Sequence, residues 1–336
     1  MLHTKELRES LLGAEIFRPE ILDEIHRSGR LQIWVPKEYN GLGLSFCEGL
    51  KKLQQIAKID GSLGWFVTLC SGANYFSRNL RPETASRIFG SENICFGGSG
   101  MLGGTAEKIG DNYLINGFWK YATGAPYLTH FTLNAKLVEN GQYLLDSKGE
   151  PQFLSFVLTP AQVELITAWK SMGMIATASH SFKVQNQLVP VEFSFTYNKF
   201  YSNDPLDRIP FQTFADLTLL VNYIGMASHF AEKALEINIK ISISDFSDYL
   251  NVTSQKVIEY AVLIEKTLSQ NIQLDSFLLE EIHSFGKIVV TNLVHHITKI
   301  YPQLGIRASA CHEEINQVFR DFFTATQHSN FRKSDL

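Results

Sequence analysis

Gly98-Ser99-Gly100-Met101-Leu102-Gly103 has the G-x-G-x-x-G spacing that cradles a dinucleotide pyrophosphate, so it is weighed first. Such a site needs a helix directly after the glycines, because that helix's N-terminus receives the phosphates. Here Gly104 to Tyr121 continues with a period of two. The next acid after Asp111 is Glu139, so no ribose-binding carboxylate stands where that site needs one. A flexible glycine loop between strands fits better. His295 and His296 on a helix point about 100° apart and cannot share a metal from one face. Glu280-Glu281 and Glu313-Glu314 are adjacent helical pairs, read as solvated rather than as an acid–base couple. Thr177 and Ser179, two apart, line one side of a loop and can donate to a ring or phosphate oxygen. A histidine's ordinary pKa lies near working pH, which suits that residue type to proton transfer. No G-x-S-x-G, H-E-x-x-H or P-loop spacing is present.

The elements that must position these groups fall into three parts. Residues 1–92 have helical periodicity: Leu7, Leu11 and Leu12, then Ile21, Leu22 and Ile25. Ser45 and Glu48 form a capping box ahead of Phe46, Leu50, Leu53 and Ala57. Helix is also expected from Leu63 to Cys70 and after Pro82, a good first-turn residue. Residues 93–203 change to a period of two. Tyr113, Ile115, Gly117, Trp119 and Tyr121 share one face of a strand after the Gly110-Asp111-Asn112 turn. Phe131, Leu133, Ala135 and Leu137 alternate with Thr132, Asn134 and Lys136, and Asn140-Gly141 makes a hairpin turn. Phe153 to Leu158 and Ser181 to Val189 read as further strands. No helices alternate with them, so the expectation is an antiparallel sheet closed into a small barrel. A proline-marked link from Ser202 to Pro210 leads into residues 204–336. Helices are expected there at Leu217–Ile239, Val257–Leu268, Phe277–Tyr301 and Ile315–His328, the last with Arg320, Asp321, Thr324, Gln327 and His328 on its solvated face. The fold class is therefore α+β: helical domain, β-barrel domain, helical bundle.

Bulk properties exclude several functions. The 336 residues are 45% hydrophobic and 19% charged, with a net charge of -4 and no run of Lys and Arg, which argues against nucleic acid. No uncharged apolar run reaches membrane-spanning length. Cys47, Cys70, Cys95 and Cys311 lie far apart and read as reduced, mostly packed thiols. The polar, charged start lacks an apolar h-region, so a cytoplasmic protein is expected and the sequon Asn251-Val252-Thr253 is accidental. Phe285, Ile288, Val289, Val290, Leu293, Val294, Ile297 and Ile300 cover more than one stripe of their helix, which predicts a partner subunit.

Four segments, in order, resemble the acyl-CoA dehydrogenase superfamily. Val35-Pro36-Lys37-Glu38-Tyr39-Asn40-Gly41-Leu42-Gly43-Leu44 is similar to its P-x-E-y-G-G-x-G-l loop before a long helix. Gly104-Thr105-Ala106 through Gly117-Phe118-Trp119-Lys120-Tyr121-Ala122-Thr123-Gly124-Ala125 resembles the G-T-A…G-x-W-x-f-a-S-G-a strand pair, particularly of the aromatic monooxygenase branch. Trp169 to His180 is similar to W-x-x-x-G-M-R-G-T-G-S-H, and Phe319 to His328 to l-x-R-D-x-x-A-x-x-Q-H. The resemblance implies a flavin, FMN or FAD, touching Ala122, Thr123, Gly124, Trp169, Thr177 and Ser179. It places the Thr123 hydroxyl at the ring's N5 edge and points His328 at flavin and substrate, so Thr123 and His328 are the catalytic candidates. It implies no metal, a small-molecule substrate, a homodimer or homotetramer, a separate flavin reductase, and a shortened four-helix C-terminal bundle.

The chain departs from the pattern in places. Ile175 stands where the family has Arg, and Ala176 and Ala178 where it has glycines. No Arg lies between Asn238 and Gln270, in the bundle where members clamp the flavin phosphate. No Glu follows Glu314, where dehydrogenases keep their base, and Asp216 is the one nearby carboxylate that could replace it. The resemblance thus implies a monooxygenase-like oxidoreductase acting on a small aromatic or related substrate. Acyl-CoA dehydrogenation of a thioester and a flavin-free binding or assembly module are the alternatives.

Overall fold

The computed structural model describes residues 3–202 and 204–332. It opens with α1 (Thr4–Leu11), α2 (Pro19–Arg27), α3 (Phe46–Ala57), α4 (Gly61–Asn74) and α5 (Pro82–Phe89). The start of α3 is set by the capping box: Glu48 N–H donates to Ser45 Oγ (3.3 Å) and Ser45 N–H to Glu48 Oε2 (3.1 Å). Asp60 caps α4 by accepting from the Leu63 N–H (2.8 Å). Of α4, every residue but Leu69 and Gly72 is buried. A helix without a solvated face has to be enclosed by its neighbours. The chain around α4 does this: α3, α6 and α9, the start of the sheet and the turn at Ile175–Thr177 all pack on it.

The middle of the chain forms β1 (Phe96–Ile109), β2 (Asn112–Ala122), β3 (His130–Glu139), β4 (Gln142–Tyr143), β5 (Phe153–Leu158), β6 (Glu164–Ile166), β7 (His180–Pro190) and β8 (Ser194–Phe195). They make one sheet in the order β6-β7-β2-β1-β3-β5-β8, with β4 paired to β3. Two expectations fail here. The sheet has edges at β6 and β8 and is not a closed barrel, and β1 pairs β3 in parallel, so it is not purely antiparallel. The cause is the connection. β2 brings the chain back to the start of β1, and residues 123–129 cross that end, so β3 must leave in the direction of β1. Alternation reports which face a residue takes, not the direction of its neighbour strand. The Gly98–Gly103 run is not a loop between strands but lies inside β1. It starts no helix, and a Cβ at Gly98 would sit 1.8 Å from the Thr132 carbonyl oxygen.

Tyr121 also departs from its expected face. It is 64% exposed with φ +64°, and the β2–β7 register shifts between Trp119 and Ala122. One extra residue in a strand turns the residues after it to the opposite face, and here it sends Ala122 inward. The C-terminal third holds α6 (Phe211–Ile237), α7 (Ser244–Ser269), α8 (Ser276–Ile300) and α9 (Glu314–Ala325), with α6 packed on the other three. Helix α9 stops at Ala325, so His328 lies in the turn beyond it rather than on the expected helix. The boundary expected at residue 203 falls on Asn203, outside the described residues.

Arg78 fastens the segment entering α6, with its 3-10 turn at Pro205–Arg208, to the helical layer. It is 4% exposed and donates to the Trp34 carbonyl (2.9 Å) and to Asp207 (2.9 Å), with Asp204 at 3.1 Å. Tyr75 adds a bond from its hydroxyl to the Leu206 carbonyl (3.1 Å). Removing one partner of a buried pair leaves the other charge uncompensated. Arg78→Ala should therefore lose about 3–5 kcal/mol in chemical denaturation. A loss under ~1 kcal/mol would show that solvent already screens this pair.

Candidate functional site

The bulge at Tyr121 delivers the chain into Ala122-Thr123-Gly124, and β2–β7 pairing sets Ala122 opposite His180. Two separated segments therefore meet where β2 ends and β7 begins. Gly124 N–H donates to the Thr177 carbonyl (2.7 Å). At Gly124 φ is +75°, and a Cβ there would lie 2.4 Å from the Phe66 ring, so the position takes only glycine. The Thr177 hydroxyl donates to the Met174 carbonyl (2.7 Å) and touches Ser179 Oγ (2.9 Å), which in turn lies 3.2 Å from Thr123 Oγ1. The three hydroxyls form one hydrogen-bonded chain. Trp169 joins them through its indole N–H to the Met174 carbonyl (3.0 Å) and its backbone N–H to His180 Nδ1 (3.1 Å). Tyr121 stands edge-on to Trp169 at 6.4 Å. Thr123, Gly124, Trp169, Thr177 and Ser179 are thus brought together.

The loop turns through two left-handed residues. Ala178 has φ +43° and Met174 φ +54°, both left-handed. A side chain in that region costs roughly 1–2 kcal/mol, which a glycine avoids. Ile175, at the position where the resemblance implies an arginine, is 37% exposed and brings no charge to the loop.

His328 is held elsewhere. Its ring lies edge-on to Trp65 of α4 at 5.4 Å, and its Nδ1 accepts from the Asn330 N–H (3.3 Å). That acceptor role leaves the proton on Nε2 in the neutral ring. Burial lowers its pKa below the ordinary histidine value, favouring the neutral form. Gln327 and Thr324 do not orient it: Gln327 bonds Thr326 and Thr324 bonds the Arg320 carbonyl. Among the described residues His328 makes no hydrogen bond to the three hydroxyls. The shared wall is α4, which sets Phe66 against Gly124 and Trp65 against His328.

Sequence reasoning missed the junction beneath this wall. Asp321, expected on a solvated face of α9, is 2% exposed and accepts from the Met174 N–H. A Cβ on Gly61 would meet the Asp321 Cβ at 2.6 Å, so the contact with α4 is close. Asp60, 5% exposed, accepts from Gln317 Nε2 (2.8 Å) as well as from Leu63. The R-D of the last motif is a signal, but its helical phase points outward. Among the described residues there is no cluster of His, Cys, Asp and Glu able to hold a metal, and no helix is long and apolar enough to cross a membrane.

Burial pushes Asp60 up to about 6, and burial followed by the charge of Asp60 pushes Asp321 well above the usual carboxylate range. A raised folded pKa contributes stability that is complete below the unfolded carboxylate value of about 4. That contribution is lost as pH climbs through the folded values, from about 6 upward. Asp321→Asn keeps an acceptor for Met174 and removes one charge. It should be more stable than wild type at pH 8, by on the order of 1–2 kcal/mol, with the gap closing toward pH 5. Equal unfolding curves at both pH values would mean that ionising Asp321 in the folded protein costs no stability.

No protein-family model matches the chain. Indole-3-acetate monooxygenase of Pseudomonas putida is 28% identical over 215 residues, covering 62% of this chain and 52% of that protein. The chain spans about half the length of the curated relatives it matches, 52% and 58% for the first two. The crystal structure of the HsaA monooxygenase from M. tuberculosis superposes with a TM-score of 0.88 at 16% identity, covering 98% of this chain and 91% of that one. TdsC from Paenibacillus sp. A11-2, in complex with FMN and indole, does so with a TM-score of 0.80 at 21% identity, covering 98% of this chain and 92% of the other. The chain has the acyl-CoA dehydrogenase-like fold of these structures, and its relatives include flavin-dependent monooxygenases as well as a caffeyl-CoA reductase subunit.

Proposed function

We propose that this chain is a flavin-dependent oxidoreductase that oxygenates a small aromatic or related substrate. The observation that carries the reading is the meeting of the Thr123, Thr177 and Ser179 hydroxyls beside Trp169. A flavin ring is flat, apolar on its faces and edged with acceptors and donors. Exposed Tyr121 and half-buried Trp169 offer it aromatic surface, and the hydroxyl chain offers its edge bonds. The residues present therefore fit the group. Bound reduced flavin, FMN or FAD, supplies the activation of dioxygen that a monooxygenase needs. Thr123 and Ser179 would hold the ring and Trp169 would wall it. The Nε2–H of neutral His328 would donate to a substrate heteroatom while Trp65 keeps water from its other side.

The three-part division at residues 92 and 203, a cytoplasmic setting and reduced flavin from a separate reductase belong to the same reading. Acyl-CoA dehydrogenation is less well served. Asp216, the carboxylate nominated to replace the missing base, is 1% exposed and already accepts from Gln212, His283 and Asn330. Self-association fits the exposed apolar side chains of α7 and α8: Val252, Val262, Leu263, Phe277 and Ile288. The other apolar residues of α8 are spent on its own core, Val289, Leu293 and Ile297 among them.

Flavin titration is the first test. Wild type should bind FMN or FAD, and Thr123→Val should weaken binding about tenfold through one lost hydrogen bond. No uptake of either flavin at millimolar concentration would leave only a flavin-free binding role. His328→Ala should lower turnover about 10²- to 10⁴-fold with flavin affinity and melting temperature kept. Unchanged turnover with a slightly lower melting temperature would make His328 a packing residue. Light scattering should report a dimer or tetramer, and a lone 38.0 kDa species would contradict association.

A further inference from the structure

Asp216, on the second turn of α6, is 1% exposed and gathers three donors on one oxygen. Gln212 Nε2 (3.0 Å), Asn330 Nδ2 (2.8 Å) and His283 Nδ1 (3.0 Å) all reach Oδ1. The other oxygen, Oδ2, is buried and has no partner among the described residues. Burial alone is costly for a carboxylate, so one kept at such a place invites the question of which neighbour its charge acts on.

The neighbour is His283 of α8, whose side chain is 31% exposed. An ionised carboxylate only accepts, so Nδ1 carries the proton and the lone pair of the neutral ring sits on Nε2. Among the described residues nothing bonds to Nε2. Glu280 and Lys287, one turn away to either side on α8, make no bond to the ring. Phe331 lies over it with centroids 6.1 Å apart. Asn330, which binds Asp216 through its side chain, also donates its backbone N–H to His328 Nδ1 (3.3 Å). One residue therefore ties the two imidazoles into the same network.

A buried carboxylate behind an imidazole fixes its tautomer and stabilises the imidazolium that forms when it takes a proton. We propose that His283, oriented by Asp216, is a proton acceptor beside the proton donor His328, and that it deprotonates an acidic O–H or N–H of an aromatic substrate. The inference rests on the aromatic oxidoreductase reading above. The substrate's O–H or N–H bond breaks, its electron pair stays on the heteroatom, and the proton bonds to Nε2. No oxidant or reductant takes part. An aromatic anion is richer in electrons than its acid and is the better acceptor of an electrophilic oxygen atom. His283 is the catalytic residue of this step and Asp216 a positioning residue.

4-Nitrophenol is a suitable probe, because its anion is yellow and its acid colourless. It is titrated into FMN-loaded protein at a pH below its own pKa, and absorbance is read against the same protein without probe. Wild type should show the anion band of the bound probe. His283→Asn places an amide where Nδ1 was, so it can keep the bond to Asp216 while losing the base. It should cut the bound anion fraction by about tenfold or more with the melting temperature kept. Asp216→Asn should cut it too, and decides the matter if His283→Asn does not fold. Probe bound colourless by wild type, no probe bound, or an anion band surviving both substitutions would overturn the proposal. Ionised probe without FMN uptake would overturn the flavin reading alone; FMN uptake with colourless probe would overturn this inference alone.

Discussion

Enclosing α4 on nearly every face is the constraint on which the rest of the structure depends. The helix offers almost no polar side chains to solvent, so everything that covers it must come close. Glycines make that possible. A Cβ at Gly61 would strike Asp321 of α9 at 2.6 Å, and one at Gly64 would strike the Ala57 Cα of α3 at 2.5 Å. With those contacts made, the same helix presents Phe66 to Gly124, Trp65 to His328 and Thr68 to Asn222 of α6 (2.9 Å). The candidate site is assembled from chain segments about 200 residues apart because they share this one wall.

Polar groups buried around the wall are handled in two ways. The hydroxyl chain Thr123–Ser179–Thr177 is internally satisfied, which makes its burial cheap; Thr177 is committed to the Met174 carbonyl, while Thr123 and Ser179 can re-aim their protons. The carboxylates are not so well served. Asp321 Oδ2 and Asp216 Oδ2 are both buried without partners among the described residues, and both lie where the C-terminal segment meets an earlier helix. Asp321 joins α9 to α4 and to the Met172–Ala178 loop, since Arg320 also donates to the Met172 carbonyl (2.6 Å). Asp216 joins α6 and α8 to the tail after α9. Groups of this sort hold specific segments together at a cost in stability, and the segments they hold are those carrying the candidate hydroxyls and imidazoles.

The sequence by itself determined most of the local structure. Capping residues, turn dipeptides and periodicity located α3, the Asn140-Gly141 hairpin and β5, because each depends on residues within a few positions of one another. It also located the candidate site in part. Thr123, Trp169, Thr177 and Ser179 were legible from their motifs, and the structure brings them together. Three things were decided only in the tertiary structure. The direction of β3 relative to β1 follows from a crossover whose path no alternation pattern records. The inward turn of Ala122 follows from a bulge that shifts the period by one. The burial of Asp321 and the pairing of Asp216 with His283 follow from helices that meet far apart in sequence. A polar residue on a helix reads as solvated until the opposite surface is known, and that surface is a property of the packed chain alone.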